Sequence, residues 1–137
     1  MRNMNVTSLA VCAKANALGA LLNDGYLDFF DGRQPSSAET PIDTQILGVS
    51  LRFGAPAFRP AIAGVIVSNP IQPGEVITPI TVTWARLYQA DHKTVILDMS
   101  VGTSDANIIV PQTELKRDMM LSCSTVRLCS LKHTPGG

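Results

Sequence analysis

The chain has 137 residues, of which 45% are apolar and 16% charged, with 11 lysines and arginines balanced by 11 aspartates and glutamates. A formal charge of zero excludes the basic excess of a protein that lives on phosphate backbones, so no nucleic-acid partner is expected. A chain of this length buries roughly 60 to 70% of its unfolded surface on folding, enough for one core and not for two, and a single domain over 1–137 follows.

No run reaches the roughly 18 to 20 uninterrupted apolar residues of a membrane span. The apolar stretch 9–22 is broken by Lys14, Asn16 and Gly19 and no clean cleavage signature follows it, so it does not read as a signal peptide. Instead Val11, Ala15, Leu18 and Leu22 recur at i, i+4, i+7 and i+11, the spacing of one helical face, with Thr7 or Ser8 as N-cap. A helix over 7–24 is predicted, closed at Asn23-Asp24-Gly25 with Gly25 in the left-handed conformation. Its apolar face has two readings, a lid over the open end of its own fold or an arm contacting a neighbouring subunit. The tight link to the next element favours the lid.

From Tyr26 the period changes from helical to two. Tyr26 to Phe30 is a short aromatic strand ending at the turn Asp31-Gly32, followed by a polar surface loop, 33–43, with Pro35 and Pro41. In 45–53, Leu47, Val49, Leu51 and Phe53 share one face and Gly48, Ser50 and Arg52 the other, until Gly54-Ala55-Pro56 breaks the pattern. A compact strand is expected over 64–68, then a stiff proline-rich connection over 69–79 through which no strand runs. Continuous strands over 80–89 and 94–101 form a hairpin through 90–93. A short strand at 107–110, a polar turn region at 111–118 and one long final strand at 119–131, with a bulge near Thr125, complete the set. The expected architecture is mainly β: an antiparallel β-sandwich or jelly roll of about eight strands over 26–132, one N-terminal α-helix and a tail at 133–137.

Candidates for chemistry are few. His92 in the hairpin turn and His133 near the C-terminus lack ligand-spaced companions and read as solvated histidines. Asp28 and Asp31 bracket two phenylalanines; a metal site or acid–base pair is the sharper reading, and Asp31 as a turn-former accepting backbone hydrogen bonds is the preferred one. Gly102-Thr103-Ser104-Asp105 lacks the rest of a phosphate loop and reads as a turn. Trp84, the one tryptophan, is a core residue or, in an alternative reading, a ligand-stacking platform. Cys12, Cys123 and Cys129 are odd in number and unpaired in spacing, and read as reduced, buried thiols made in a cytoplasm. No nucleophile with its base and no metal or cofactor motif emerges, so no enzyme is expected.

Several segments nevertheless resemble, in order, a group of small structural proteins of tailed bacteriophages and prophages. They are Leu27-Asp28-Phe29-Phe30-Asp31-Gly32-Arg33-Gln34-Pro35; Ile46 to Phe53 followed by Pro56-Ala57-Phe58; Gly64-Val65 and Asn69-Pro70-Ile71; and Thr83-Trp84-Ala85-Arg86, Asp91 and Ser100 to Asp105. The likeness runs over roughly residues 8 to 135 and is carried by turn and core positions: Asp31, Gly32, Pro35, Phe53, Pro56, Phe58, Trp84 and Gly102. His92 and Asp118 stand where similar sequences favour glycine. The resemblance implies a non-enzymatic virion protein made in the host cytoplasm: a head decoration or cement protein bridging subunits of the major capsid protein, with a neck or tail component as an alternative. It implies other virion proteins as partners and a homo-oligomer, without cofactor, nucleic acid or membrane. A carbohydrate-binding adsorption module, with Trp84, Tyr88 or Tyr26 stacking on sugars, is the competing reading.

Overall fold

A computed structural model of the chain describes residues 7–123 and 126–129. Its elements are one helix, α1 (Ser8–Ala20), and eleven short strands: β1 (Tyr26–Phe30), β2 (Leu47–Arg52), β3 (Val65–Val67), β4 (Gly74–Glu75), β5 (Ile80–Thr81), β6 (Trp84–Tyr88), β7 (Val95–Gly102), β8 (Ile108–Ile109), β9 (Glu114–Leu115), β10 (Met120–Leu121) and β11 (Arg127–Cys129). The fold is mainly β with one N-terminal helix, as the periodicity predicts. A five-stranded sheet in the order β2-β1-β6-β7-β8 is accompanied by three two-stranded ladders, β4–β10, β3–β11 and β5–β9. Every pairing is antiparallel except β7 with β8, which is parallel.

Strand alternation decides which side of the sheet is apolar. Leu27 and Phe29 of β1 pair in register with Leu51 and Val49 of β2 and with Leu87 and Ala85 of β6, and Ala85 pairs with Met99 of β7. All of these are buried. The small ladders and their flanks supply Ile66, Val76, Ile80, Leu115, Leu121 and Leu128 to the same core. Each such side chain contributes about 1.5 to 3 kcal/mol of transfer free energy.

Helix α1 lies on β3. Ala15 and Leu22 are buried and Leu18 packs against the core, while Val11 is half-buried. The predicted face therefore packs within its own fold, and Ala15 and Leu22 are buried there. Thr7 is the N-cap, its hydroxyl accepting from Ala10 N at 3.2 Å. The helix end departs from expectation, because Asp24 and not Gly25 takes the left-handed conformation, with φ 58°. Gly25 serves a different need: a Cβ there would meet the Tyr88 carbonyl oxygen at 2.3 Å and that of Leu22 at 2.8 Å. Close backbone approach, and not helix closure, is what requires glycine here.

Four strand expectations are corrected. The segment 69–79 does carry a strand, since Gly74 and Glu75 pair with Leu121 and Met120 and Ile77 N donates to Gly48 O at 2.8 Å; the prolines at 70, 73 and 79 flank these amides and leave them free to bond. The run 80–89 is two strands that pair differently: β5 joins β9, whereas β6 sits between β1 and β7. The polar region 111–118 contains that partner, β9. The final run 119–131 is likewise divided between β10 and β11, which join separate ladders. The expected bulge near Thr125, the residue His133 and the 133–137 tail lie outside the described residues.

Candidate functional site

The outer face of the sheet carries a polar cluster built from four strands. In β1, β2 and the facing part of β6 the even-numbered residues lie on the side opposite Leu27, Phe29, Leu51 and Leu87, and register sets Ser50, Asp28, Arg86 and Asp98 in one row across β2, β1, β6 and β7. Asp28 and Arg86 are buried. One row further along lie Arg52, Tyr26 and Tyr88; on the other side Phe30 stacks on Trp84 with ring centroids 4.8 Å apart.

Two loops cover this face. In the first, Asp31 Oδ1 accepts from Ile46 N at 2.6 Å, Trp84 Nε1 donates to the Asp31 carbonyl at 3.0 Å and Thr83 Oγ1 donates to the Gly32 carbonyl at 2.5 Å. Gly32 allows the chain to turn there with φ 76°. Asp31 thus accepts a backbone hydrogen bond, as expected, but from fifteen residues away, so it closes a loop. Pro35 is half-buried within that loop.

The second cover is the β6–β7 turn. Asp91 caps it, accepting from Lys93 N, Thr94 N and the Thr94 hydroxyl at 2.9, 2.8 and 2.5 Å; the hydroxyl bond leads in holding its carboxyl down at about 2. His92 follows with φ 57°, a left-handed conformation that histidine adopts more readily than most residues. Its ring thereby folds back onto the sheet. It stacks on Tyr26 at 4.0 Å and 9°, meets Tyr88 edge-on at 5.3 Å, and places Nε2 2.8 and 2.9 Å from the two Asp28 oxygens. The solvated His92 of the sequence reading is corrected: it is a partner of a buried carboxylate. Arg52 lies 4.9 Å over the Tyr26 ring.

Serine, aspartate and histidine therefore meet, but in an order unlike that of a hydrolase. Ser50 Oγ donates to Asp28 Oδ1 at 2.6 Å, and His92 Nε2 bonds the same carboxylate. A nucleophilic serine requires the imidazole between hydroxyl and carboxylate, where it can take the proton; here the carboxylate is in the middle. The cluster ties the hairpin turn to β1 and β2. Beside it Arg86 forms a two-pronged pair with Asp98, Nε to Oδ1 at 2.7 Å and Nη2 to Oδ2 at 3.0 Å, with both side chains under 5% exposed. That bond raises the Arg86 pKa, against a smaller opposing effect of burial. Burial also raises Tyr88, with Asp28 adding to it.

The remaining predicted positions are structural. Phe53 and Phe58 are buried with ring centroids 5.3 Å apart, on either side of the cis peptide Ala55-Pro56. Gly102 ends β7, and the turn after it has Asp105 at φ 51°. Trp84 is fully buried, so it offers no face to a sugar, and His92 already stacks on Tyr26. Asp28 and Asp31 use separate partners and do not combine into an acid–base pair. Of the thiols, Cys12 Sγ accepts from Gly64 N at 3.4 Å, while burial pushes Cys123 up to about 11. No family model, curated protein or solved structure matches the chain.

Proposed function

We propose that this chain is a non-enzymatic structural component of a bacteriophage particle, made in the bacterial cytoplasm and assembled onto the virion, where it serves as a head decoration or cement protein bridging subunits of the major capsid protein. The observation that carries the reading is the division of labour among side chains. The carboxylates, guanidinium and imidazole of the sheet's outer face bond the chain to itself, while large apolar side chains stand exposed: Leu9, Ile62, Ile46, Ile77 and Met120. Such surface suits contacts repeated many times over a particle, where individually weak interactions add.

The resemblance supports the same reading. Its positions are those that shape this frame: Asp31 and Gly32 fasten the loop over Trp84, and Phe53 and Phe58 pack together across the turn at Pro56. Heating particles with and without the protein tests the role. Loss of the protein is expected to lower the temperature of genome release; an unchanged release curve counts against a cement.

A further inference from the structure

Exposed apolar side chains scattered singly need no explanation. Here they are grouped. Of the six large ones among the described residues, Leu9 and Ile62 belong to one region. The bonds Ala61 N to Asn16 Oδ1 at 2.8 Å and Gly64 N to Cys12 Sγ at 3.4 Å lay the 61–64 turn against the 12–16 stretch of α1, one helical turn on from Leu9. Their exposures are 81% and 79%. A groove of about 340 Å³ runs on from there between α1 and the segment 56–60, with Ala20, Phe58 and Pro60 among its lining residues.

The groove carries three polar side chains, Asn16, Asn23 and Arg59. Asn16 and Asn23 both line it, and each uses its side-chain oxygen to accept a backbone N–H, from Ala61 and Ala57 respectively. That fixes the orientation of both amides and leaves their Nδ2 groups to donate. Arg59, exposed on the same groove, has donors only. Among the described residues the ion pairs are Arg86–Asp98 and His92–Asp28, so Arg59 has no carboxylate of its own. An apolar groove edged by this guanidinium and two amide donors fits a carboxylate flanked by apolar side chains.

The chain itself carries that complement. Glu75 and Met120 are register partners, and Val76 and Leu121 beside them are buried, so Glu75 and Met120 share an outer face, with the exposed Ile77 two residues beyond Glu75. Ile77 and Met120 are 57% and 58% exposed. The hydrogen bond from Ile77 N to Gly48 O brings Ile46, itself exposed, near the same edge. Glu75 likewise has no cationic partner among the described residues.

We infer that copies of this chain associate head to tail, the groove between α1 and 56–60 of one copy receiving the Glu75–Ile77–Met120 face of the next, with Arg59 of the first paired to Glu75 of the second. Such contacts use two different patches and so build rings or longer arrays. The inference is independent of the particle role and stands or falls separately.

Charge reversal tests it on the full chain by sedimentation at several concentrations, with far-UV spectra to establish that each variant is folded; both positions are exposed. The unaltered protein is expected to form concentration-dependent oligomers. R59E or E75R alone weakens association by on the order of a hundredfold, since each sets like charges together. An equimolar mixture of the two variants reassembles, because in every contact between unlike variants opposite charges meet again. A monomer at every concentration, variants that assemble like the parent, or a mixture that stays monomeric would each overturn the inference.

Discussion

Replacing Arg86 by methionine removes the cation from a pair whose side chains are 3% and 4% exposed and which is joined by two hydrogen bonds, of 2.7 and 3.0 Å. Asp98 is then left buried opposite an apolar group. Breaking a buried pair from one side costs about 3 to 5 kcal/mol. Neutralising an ordinary carboxylate at neutral pH gives a similar ceiling, at about 1.4 kcal/mol per pH unit over about three units. The Arg86 guanidinium also lies 5.4 Å over the Trp84 ring, a contact that between buried groups contributes about 2 kcal/mol and that methionine restores only in part. The expected loss for R86M is therefore about 4 kcal/mol. R86M/D98L, with no charge left at the pair, should recover most of it and lie within about 1 to 2 kcal/mol of the parent. Urea unfolding followed by emission of the single, buried Trp84 gives all four corners of the cycle. A loss below about 1 kcal/mol for R86M, or a double variant as unstable as the sum of its singles, would refute the reasoning.

The other expectations concern the turn and the helix end. Because the folded carboxyl of Asp91 is held at about 2 against an ordinary 3.8, its contribution to stability is present above pH 3.8 and is lost as pH falls through 2; a carboxyl NMR titration should show the low midpoint, and T94A should move it back up. H92A removes the Tyr26 stack and one of the Asp28 partners and, with the imidazole about a third exposed, is expected to cost about 1 to 2 kcal/mol, with faster exchange of the backbone amide at position 92, which bonds Gln89 O. Unaltered exchange there would mean that the ring does not hold the turn. G25A, which drives a Cβ into the Tyr88 and Leu22 carbonyls, should cost at least about 2 kcal/mol. D24G, at the true left-handed position, should stay within about 1 kcal/mol of the parent; equal effects at the two sites would contradict this division of roles.

The alternation in 45–53 and 94–101 made the apolar side of the sheet legible, and the period of 7–22 did the same for the inner face of α1. The divided strands were not. Ile80, Val82 and Trp84 alternate with Thr81, Thr83 and Ala85 in the sequence, but the core residues change parity from Ile80 and Val82 to Ala85 and Leu87, and Val82 N bonds Thr113 O while Thr83 N bonds Phe30 O, so the chain changes partners where the parity changes. The polar cluster was hidden for a related reason. Asp28, Arg86 and Asp98 become one row only after three strands are set in register, and His92 reaches Asp28 across sixty-four residues. One signal was available: the resemblance marks His92 and Asp118 as turn positions expected to favour glycine, and both adopt positive φ, 57° and 69°. The left-handed turn at His92 aims its ring back over the sheet.

The central claim, that this chain is a structural part of a phage particle, is tested most directly by antibody labelling of intact particles viewed by electron microscopy. Label distributed over the head is the predicted result. Label confined to the neck or tail would contradict the decoration role, and particles without label would contradict a place in the virion.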